Sequence, residues 1–593
     1  MTTNGYPAEG SIEPVDASAF SVIHGRGAVS SRTTWLVGMV VAAVTLLALG
    51  RIEAHPFVDW DDPNNLTENQ HLKSLGYCWQ HPVENFYIPV TYTVWGLLAF
   101  VAGDASGRVL DPQVFHIASL ALHVVAAIGA LLVLRRLGLR PWPAGFGALI
   151  FAVHPLQTEA VAWATGFRDI LSGGACVWAI WFYLRAAEAW DQKNCWWPQY
   201  LLATMLFLVG LLSKPQAVCL PLVILAMEVL RRPGAWRQWM GYLLPWVGLT
   251  LPLILFTRHL QPSVGEHIAA PRLDRVLIAS DDLVFYFGKI IVPVNLTVDY
   301  AHSTQRLLQS GPHVLLWLVL PTLLVLAWYL HRRLLWLAIG MAIFVCALMP
   351  VLGFVPFDFQ TYSNVANHYV YVAMLGPALI GACALQAAVD HGVPKLVAAA
   401  AGGLLGLVLA GATFHEAGYW KDDVTLFSRN LELQPDSFVA NSQVGRDYYH
   451  HGRPDEAMLL YRHALTIKPM DPETRFNVAN WLTRHGRFEE AVADYRIALQ
   501  AWPQRAEIHV NLGAALANQG KIEDAITEFQ ASNQLSPGNP KVLMELGMLS
   551  MQRQEVGAAK KYFSDVLAAD PNFGPARSML QQIEQFEHSQ RAK

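Results

Sequence analysis

Apolar residues run in long, nearly unbroken stretches through the first two-thirds of the chain, then fall at helical spacing among Glu, Arg, Asn and Gln after residue 414. The stretches predict eleven membrane crossings, at 34–50, 113–134, 142–154, 169–185, 199–212, 217–230, 240–257, 314–330, 334–350, 369–387 and 396–413. The periodic part predicts stacked helix pairs, because Pro435, Pro469, Pro503, Pro537 and Pro571 recur every 34 residues, the period of a tetratricopeptide repeat. Small residues keep the same register: Gly445, Ala479, Gly513 and Gly547 in each first helix, Gly452, Gly486 and Gly520 in each turn, and Ala457, Ala491, Ala525 and Ala559 in each second helix. In the last unit Gln554 takes the turn position, and the polar stretch after Pro571 predicts a capping helix.

The expected fold is therefore all-α: a polytopic membrane helix bundle of about eleven spans over 34–414, a linker helix over 415–434, and an α-solenoid of four repeats plus a capping helix over 435–593. Residues 1–33, polar and rich in Gly, Ser and Pro, read as a disordered cytoplasmic tail. Ala48-Leu49-Gly50 resembles a cleavage site, but the long polar leader and the packing role of the first span argue for retention. In the linker, Tyr419 and Trp420 suit the membrane–water boundary, which would hold the repeats near the membrane.

Charge orients the bundle. With the N-terminus cytoplasmic, Arg135, Arg136 and Arg140, then Arg185 and Lys193, then Arg231, Arg232 and Arg237, then Arg332 and Arg333, then Lys395 all fall on the cytoplasmic side. The stretch Leu283 to Pro293 then stays at the outer face as an interfacial or re-entrant helix, with Asp281, Asp282 and Lys289 beside it. The outward loops that result carry a consistent chemistry. FVDWDDPNNLTENQHL supplies Asp59, Asp61 and Asp62 around Trp60; HPLQTEAVAWATGFRD supplies His154, Glu159, Arg168 and Asp169; SKPQA supplies Lys214; and the loop leading into the tenth span, with the first residues of that span, supplies Asn367, His368, Tyr369 and Tyr371.

Each of these groups taken singly fits a helix cap or a snorkelling side chain. Together they fit sugar transfer from a lipid phosphate, which needs a base for the acceptor hydroxyl, cations or a metal for the departing phosphate, and a groove for the lipid tail. Asp61 or Asp62 can be the base; Arg168 and Lys214 can hold the donor phosphate; His154, His368, Tyr369 and Tyr371 can line the substrate. Asp61 and Asp62, with Glu159 or Asp169, could also ligate Mg or Mn, although a single Asp could suffice without a metal.

A formal net charge of -4 argues against bulk nucleic-acid binding, and six scattered Cys form neither a disulfide framework nor a zinc site. In the repeats, Gln443, Asn477, Asn511 and Glu545 fall 34 apart on the first helices, where they would line a concave groove able to hydrogen-bond an extended peptide. Such a groove on the same chain as a transfer site points to capture of a protein acceptor.

The blocks FVDWDDPNNLTENQHL, FAVHPLQTEAVAWATGFRDILS, LLSKPQAVCLPLVI, GFVPFDFQTYSNVANHYVYVAMLG and YWKDDVTLFSRNLELQPDS closely resemble, in that order, those of the TMTC-type transmembrane and tetratricopeptide-repeat proteins and their bacterial relatives. The resemblance covers nearly the whole chain. It implies a GT-C glycosyltransferase membrane fold over 34–414, a polyprenyl-phosphate-linked sugar as donor, inversion at the anomeric carbon, and mannose as the family-level sugar with Ser or Thr of proteins as acceptor. It maps the family's catalytic acid onto Asp61 and Asp62, and the second acidic group of related enzymes onto Glu159 or Asp169. It also implies a bacterial inner membrane, in which the charge-based orientation puts the site and repeats on the periplasmic side. The chain departs at Asn367-His368, where relatives carry an acid with Arg before the Tyr-Val-Tyr core. Two rival readings stand beside this one. A membrane-anchored repeat scaffold for envelope complexes would leave the outer acids structural, and a transporter would put charges midway through spans rather than at their ends.

Overall fold

A computed structural model describes residues 31–83, 86–103, 109–232, 236–260, 271, 274–309, 316–330, 334–354 and 358–591. The expected tail up to residue 30 and the arginines Arg332 and Arg333 lie outside the described residues. Among those described, every element is helical except two isolated bridges, Val83 with Phe86 and Gly103 with Leu110. The chain forms two compact units, Met1–Gln434 and Pro435–Lys593.

In the first unit, five helices are long and apolar enough to cross a bilayer: Arg32–Ala54, Pro112–Arg136, Phe167–Asp191, Trp239–Leu260 and Lys395–Lys421. Their outer faces carry Trp35, Leu47, Leu396 and Leu407, each more than two-thirds exposed. Bulky apolar side chains so exposed would drive aggregation in water, whereas hydrocarbon is their natural solvent. Five further apolar helices are shorter, Pro89–Ala102, Pro141–Val153, Trp197–Ser213, Leu335–Val351 and Leu375–Asp390. At 1.5 Å per residue a 13-residue helix such as Pro141–Val153 reaches only about 20 Å of the roughly 30 Å hydrocarbon core. The chain continues beyond it in irregular backbone. Residues 150–167 are buried without a break, through the turn at His154 and the short helix Thr158–Ala162. Non-helical backbone at such depth is tolerated where protein surrounds it. The stretch expected to be a solvent-facing outer loop is thus a packed insert.

Pro89–Ala102 was not expected as an apolar helix. Thr91, Tyr92 and Thr93 break the apolar run at its start, but Thr91 finds a partner by donating to the Ser213 carbonyl at 2.8 Å. The expected interfacial stretch belongs to an 18-residue helix, Asp274–Ile291, with Leu277, Ile278, Leu283 and Tyr286 on its buried side. Backbone-to-backbone contact holds the helices Leu335–Leu348 and Leu375–Asp390 together: a Cβ on Gly376 would stand 2.4 Å from the Gly340 oxygen, and one on Gly340 2.9 Å from the Gly376 oxygen. Glycine is what lets the two axes approach so closely.

The segment after the last long helix docks on this unit through polar contacts. Asn430 of the helix Asp423–Leu433 accepts from the Val298 and Asp299 amides at 3.0 and 3.1 Å and donates to the Asp299 carbonyl, and Asp423 accepts from the Asp59 amide at 3.0 Å. Trp420, expected at the membrane boundary, is instead buried at 3% exposure, because the turn Gly418–Lys421 folds it beneath this docked helix.

The second unit is four helix pairs, from Phe438–His450 with Pro454–Ile467 to Pro540–Gln552 with Val556–Ala569, followed by the helix Gly574–Arg591. Ser437, Asp471 and Asn539 cap first helices by accepting from amides two or three residues on. Gly452, Gly486 and Gly520 hold left-handed turns with φ of 77, 72 and 76°, and Gln554 adopts φ 62° at the equivalent place, a strained choice for a residue with a Cβ. Gly445, Gly513 and Gly547 admit the rings of Tyr461, Phe529 and Phe563 against the helix backbone.

Gly376→Ala should lower the melting temperature of the detergent-purified protein, at a cost of about 1–3 kcal/mol for forcing the helices apart. Gly411→Ala, with nothing within 4 Å of the new Cβ, should leave it unchanged or slightly raised. Equal melting of the two variants would contradict the close crossing.

Candidate functional site

The two acids that follow the first span have opposite environments. Asp62 has no exposed surface, and its two oxygens accept from the Val58 amide at 2.8 Å and the Thr165 amide at 3.0 Å. Burial raises its carboxyl to about 7, against the lowering effect of those amides. The bond to Thr165 ties the first outer loop to the turn Trp163-Ala164-Thr165-Gly166, and Trp60 stacks on Trp163 with ring centroids 4.9 Å apart and planes 8° off parallel. Asp61, one residue earlier, keeps 37% of its side chain exposed and sits 3.5 Å from Arg168. The Arg168 guanidinium lies 5.6 Å from the Trp163 ring and 5.9 Å from that of Phe86.

Asp169 begins the long helix Phe167–Asp191 and is buried, ion-paired with Lys214 at the end of the helix Trp197–Ser213. Burial lowers the Lys214 ammonium, and Asp169 opposes that by holding it charged. The Lys214 nitrogen lies 5.4 Å from the centre of the Tyr369 ring, and the neighbouring Gln216 donates to the Tyr369 carbonyl at 2.7 Å. On the other side Glu159 is buried at 2%, one oxygen against His368 Nδ1 and the other accepting from Asn367 at 2.8 Å. Burial pushes the Glu159 carboxyl up to about 8 and, with Lys214 and Arg168 nearby, pushes the His368 imidazole well down, so the pair is neutral. A small pocket reaches Glu159 and Asn367 and is bordered by Glu416, Tyr419, Trp420 and Arg429, but not by Asp61 or Lys214.

The structure thus brings Asp61, Arg168, Asp169, Lys214, Glu159, His368 and Tyr369 into one chain of contacts drawn from four separate segments. All four residues expected to line the substrate are buried, His154 and Tyr371 at 2% exposure and His368 and Tyr369 at 5% and 6%. His154 Nδ1 accepts from the Leu156 amide at 3.3 Å while Nε2 faces the Ile290 carbonyl at 3.1 Å. Tyr371 donates to His123 Nδ1 at 2.8 Å, the other ring nitrogen of His123 being held by the Ala152 carbonyl, and its ring lies against Gly173. Asp62 is poorly placed to hold a metal, since a cation would have to displace two backbone amides; Asp61 is the member of the pair that could reach one.

In the repeats, Gln443 is buried and takes a hydrogen bond from Arg446, Asn511 donates to Asn480 at 2.9 Å, and Asn477 is half-buried. Residues that the loop chemistry did not single out complete the network: the Thr165 amide, Gln216, and Tyr300, whose hydroxyl donates to Asn367 at 2.7 Å. A backbone amide has no sequence signature, and nothing in the sequence links Tyr300 to the distant Asn367 that it meets in the fold.

Residues 111–261 match the family model for dolichyl-phosphate-mannose-protein mannosyltransferase, and residues 482–540 and 519–583 match tetratricopeptide-repeat models. The chain is similar to protein O-mannosyl-transferase TMTC4 of Homo sapiens, 26% identical over 208 residues, 30% of this chain and 27% of that protein. It is similar to protein O-mannosyl-transferase Tmtc2 of Drosophila melanogaster, 29% identical over 187 residues (29% of this chain, 19% of that protein). Protein O-mannosyl-transferase TMTC3 of Mus musculus is 23% identical over 417 residues, 62% of this chain and 44% of that protein. Less than half the length of each of these relatives is spanned. Among solved structures, YrrB, a tetratricopeptide-repeat protein with an unusual peptide-binding site, is 18% identical with a TM-score of 0.26, over 27% of this chain and 82% of that one. A mannosyltransferase-type region followed by tetratricopeptide repeats matches the TMTC type of protein.

A carboxyl whose pKa is higher folded than unfolded binds its proton more tightly in the fold, so its stabilising contribution is complete at low pH and is lost as pH rises through the folded value. The melting temperature should therefore fall between about pH 4.5 and 8 on account of Glu159. Glu159→Gln, which mimics the neutral acid, should fold and flatten that fall; an unchanged slope would contradict the assignment. Asp62→Asn puts an amide nitrogen against a backbone N–H and should cost about 1–3 kcal/mol, whereas Asp61→Asn should melt like the unaltered protein.

Proposed function

We propose that this protein is a membrane glycosyltransferase that moves a sugar, mannose by family likeness, from a polyprenyl phosphate to the hydroxyl of a Ser or Thr acceptor on the extracytoplasmic face of the membrane. The observation that carries the reading is the adjacency of an accessible carboxylate, Asp61, to Arg168, with Asp169 and Lys214 directly behind. Asp61 takes the proton from the acceptor hydroxyl as that oxygen bonds to the anomeric carbon from the face opposite the phosphate. The bond from that carbon to the phosphate oxygen breaks with inversion, and the bond's electron pair leaves on the lipid phosphate. Arg168 and Lys214 receive the phosphate charge, Arg168 by turning from the long 3.5 Å contact with Asp61. Both cations are mostly enclosed, which strengthens their pull on an anion.

Asp62 and the neutral Glu159–His368 pair are positioning groups in this scheme: one fixes the loop that carries Asp61, the other the loop that carries Tyr369. Trp60, backed by the buried Trp163 ring, offers an aromatic face beside Asp61 for a sugar ring. A divalent cation brought in with the donor would touch Asp61 and neutralise phosphate charge. The tetratricopeptide repeats, a fold that binds peptides in other proteins, would recruit the acceptor, and the location would be a bacterial inner membrane with the repeats periplasmic.

Purified protein given polyprenyl-phosphate mannose and a Ser/Thr-rich peptide should yield a hexose-shifted peptide by intact-mass analysis. Asp61→Asn should reduce the rate by about 10²–10⁴-fold, the usual cost of losing a general base. Full transfer by Asp61→Asn would overturn the assignment of the base, and no transfer by the unaltered protein with any lipid-linked sugar would leave the chain a scaffold role.

A further inference from the structure

The helix Asp274–Ile291 and the loop that follows it carry chemistry the transfer scheme does not use. Asp281 and Asp282 are consecutive on this helix, and the chain returns past them at His302. The return is firmly set: Ala301 takes φ 50°, its amide donates to Asp299 at 2.8 Å, and the Asn364 amide donates to the His302 carbonyl at 2.8 Å. His302 Nε2 is consequently 2.5 Å from Asp281 and 3.8 Å from Asp282 Oδ1.

Two features separate this group from an ordinary ion pair. Asp282 has no exposed surface, yet neither of its oxygens has a hydrogen-bond partner. A buried carboxylate with nothing to satisfy it is among the costliest groups a fold can carry, unless a cation is its partner. His302 Nε2 and Asp281 Oδ2 are close but lack hydrogen-bond geometry, so they too are unsatisfied by each other. One ligand atom from each of the three residues lies within 4.8 Å of the others, near the separations of about 3–4 Å that donors roughly 2.0–2.2 Å from one metal adopt. Asp281 and His302 keep 18% and 27% of their side chains exposed, which leaves a way in.

We propose that Asp281, Asp282 and His302 bind a divalent transition-metal ion, Zn²⁺ or Mn²⁺, with water in the remaining positions. An imidazole with two carboxylates suits these ions better than Mg²⁺ or Ca²⁺, which favour all-oxygen shells. The ion staples the return loop to the helix. Tyr300, two residues before His302, holds Asn367, and Asn367 holds Glu159, so the staple fixes one wall of the cluster described above without joining its chemistry. This site stands whether or not the chain transfers sugar.

The test uses the full-length protein in detergent after dialysis against EDTA. Titration with Mn²⁺, followed by the electron paramagnetic resonance of the free ion, should give one tight site per chain, displaced by Zn²⁺. His302→Ala and Asp282→Asn should each weaken it at least about tenfold, and Zn²⁺ should raise the melting temperature of the unaltered protein but not of the variants. Asp282→Asn is isosteric and removes an unpaired charge, so it should fold even if His302→Ala does not. In the unaltered protein, pulsed resonance of bound Mn²⁺ should show coupling to an imidazole nitrogen. No binding, no nitrogen coupling, or full binding in both variants would overturn the proposal.

Discussion

The arrangement depends on one buried carboxylate. Asp62 receives amide hydrogens from Val58, in its own loop, and from Thr165, more than a hundred residues later, and with no access to water it has nowhere else to turn. Those two bonds set the backbone on either side of it. Asp61 is thereby held out toward solvent and Arg168, while Trp60 lies flat on Trp163. Losing either amide would leave an unsatisfied carboxylate or an unsatisfied N–H inside the protein, so the join between the loops is hard to loosen without unfolding both.

The same logic extends inward. The insert from 150 to 167 carries His154, Gln157, Glu159 and Thr165 at almost no exposure, and protein, not water, has to answer their polar atoms. Glu159 is answered by Asn367 and His368, and Asn367 in turn by Tyr300. His154 and the side-chain nitrogen of Gln157 are answered by main chain. The positive charge is handled differently: Lys214 is paired with Asp169 and Arg168 leans on Asp61 and the Trp163 ring, contacts an incoming phosphate can replace like for like. Fixed neutral groups behind and exchangeable ionic ones in front is an arrangement suited to catalysis with little reorganisation.

Much of this was legible in the sequence, and the illegible parts share a cause. The 34-residue register of Pro, Gly and Ala gave every helix of the repeats, even the turn where Gln554 stands in for glycine, since close packing and left-handed turns leave little choice of residue. The long spans followed from apolar length alone. Asp61 and Asp62 could not be told apart, because their difference lies in which one meets the Thr165 amide, and an amide has no letter of its own. His154 and Tyr371 carried the right chemistry for a site but were consumed by the core, one as a cap and one by His123. Trp420 read as a boundary residue because its neighbours are polar, whereas the docked helix Asp423–Leu433 covers it. Pro89–Ala102 was masked by hydroxyl side chains, of which Thr91 and Tyr92 find partners elsewhere in the fold, at Ser213 and Asn65.

The central claim is that one face of the first unit holds a lipid phosphate between Arg168 and Lys214 with the sugar turned toward Asp61. The most direct measurement is a cryo-electron microscopy structure of the full chain with a non-transferable polyprenyl-phosphonate sugar. The account predicts the phosphonate oxygens within hydrogen-bond distance of both cations, with Asp61 beside the anomeric carbon on the face away from the phosphorus. A headgroup seated instead in the cavity beside Glu416 and Arg429, or one that leaves the ion pair between Lys214 and Asp169 undisturbed and far from the sugar, would contradict it.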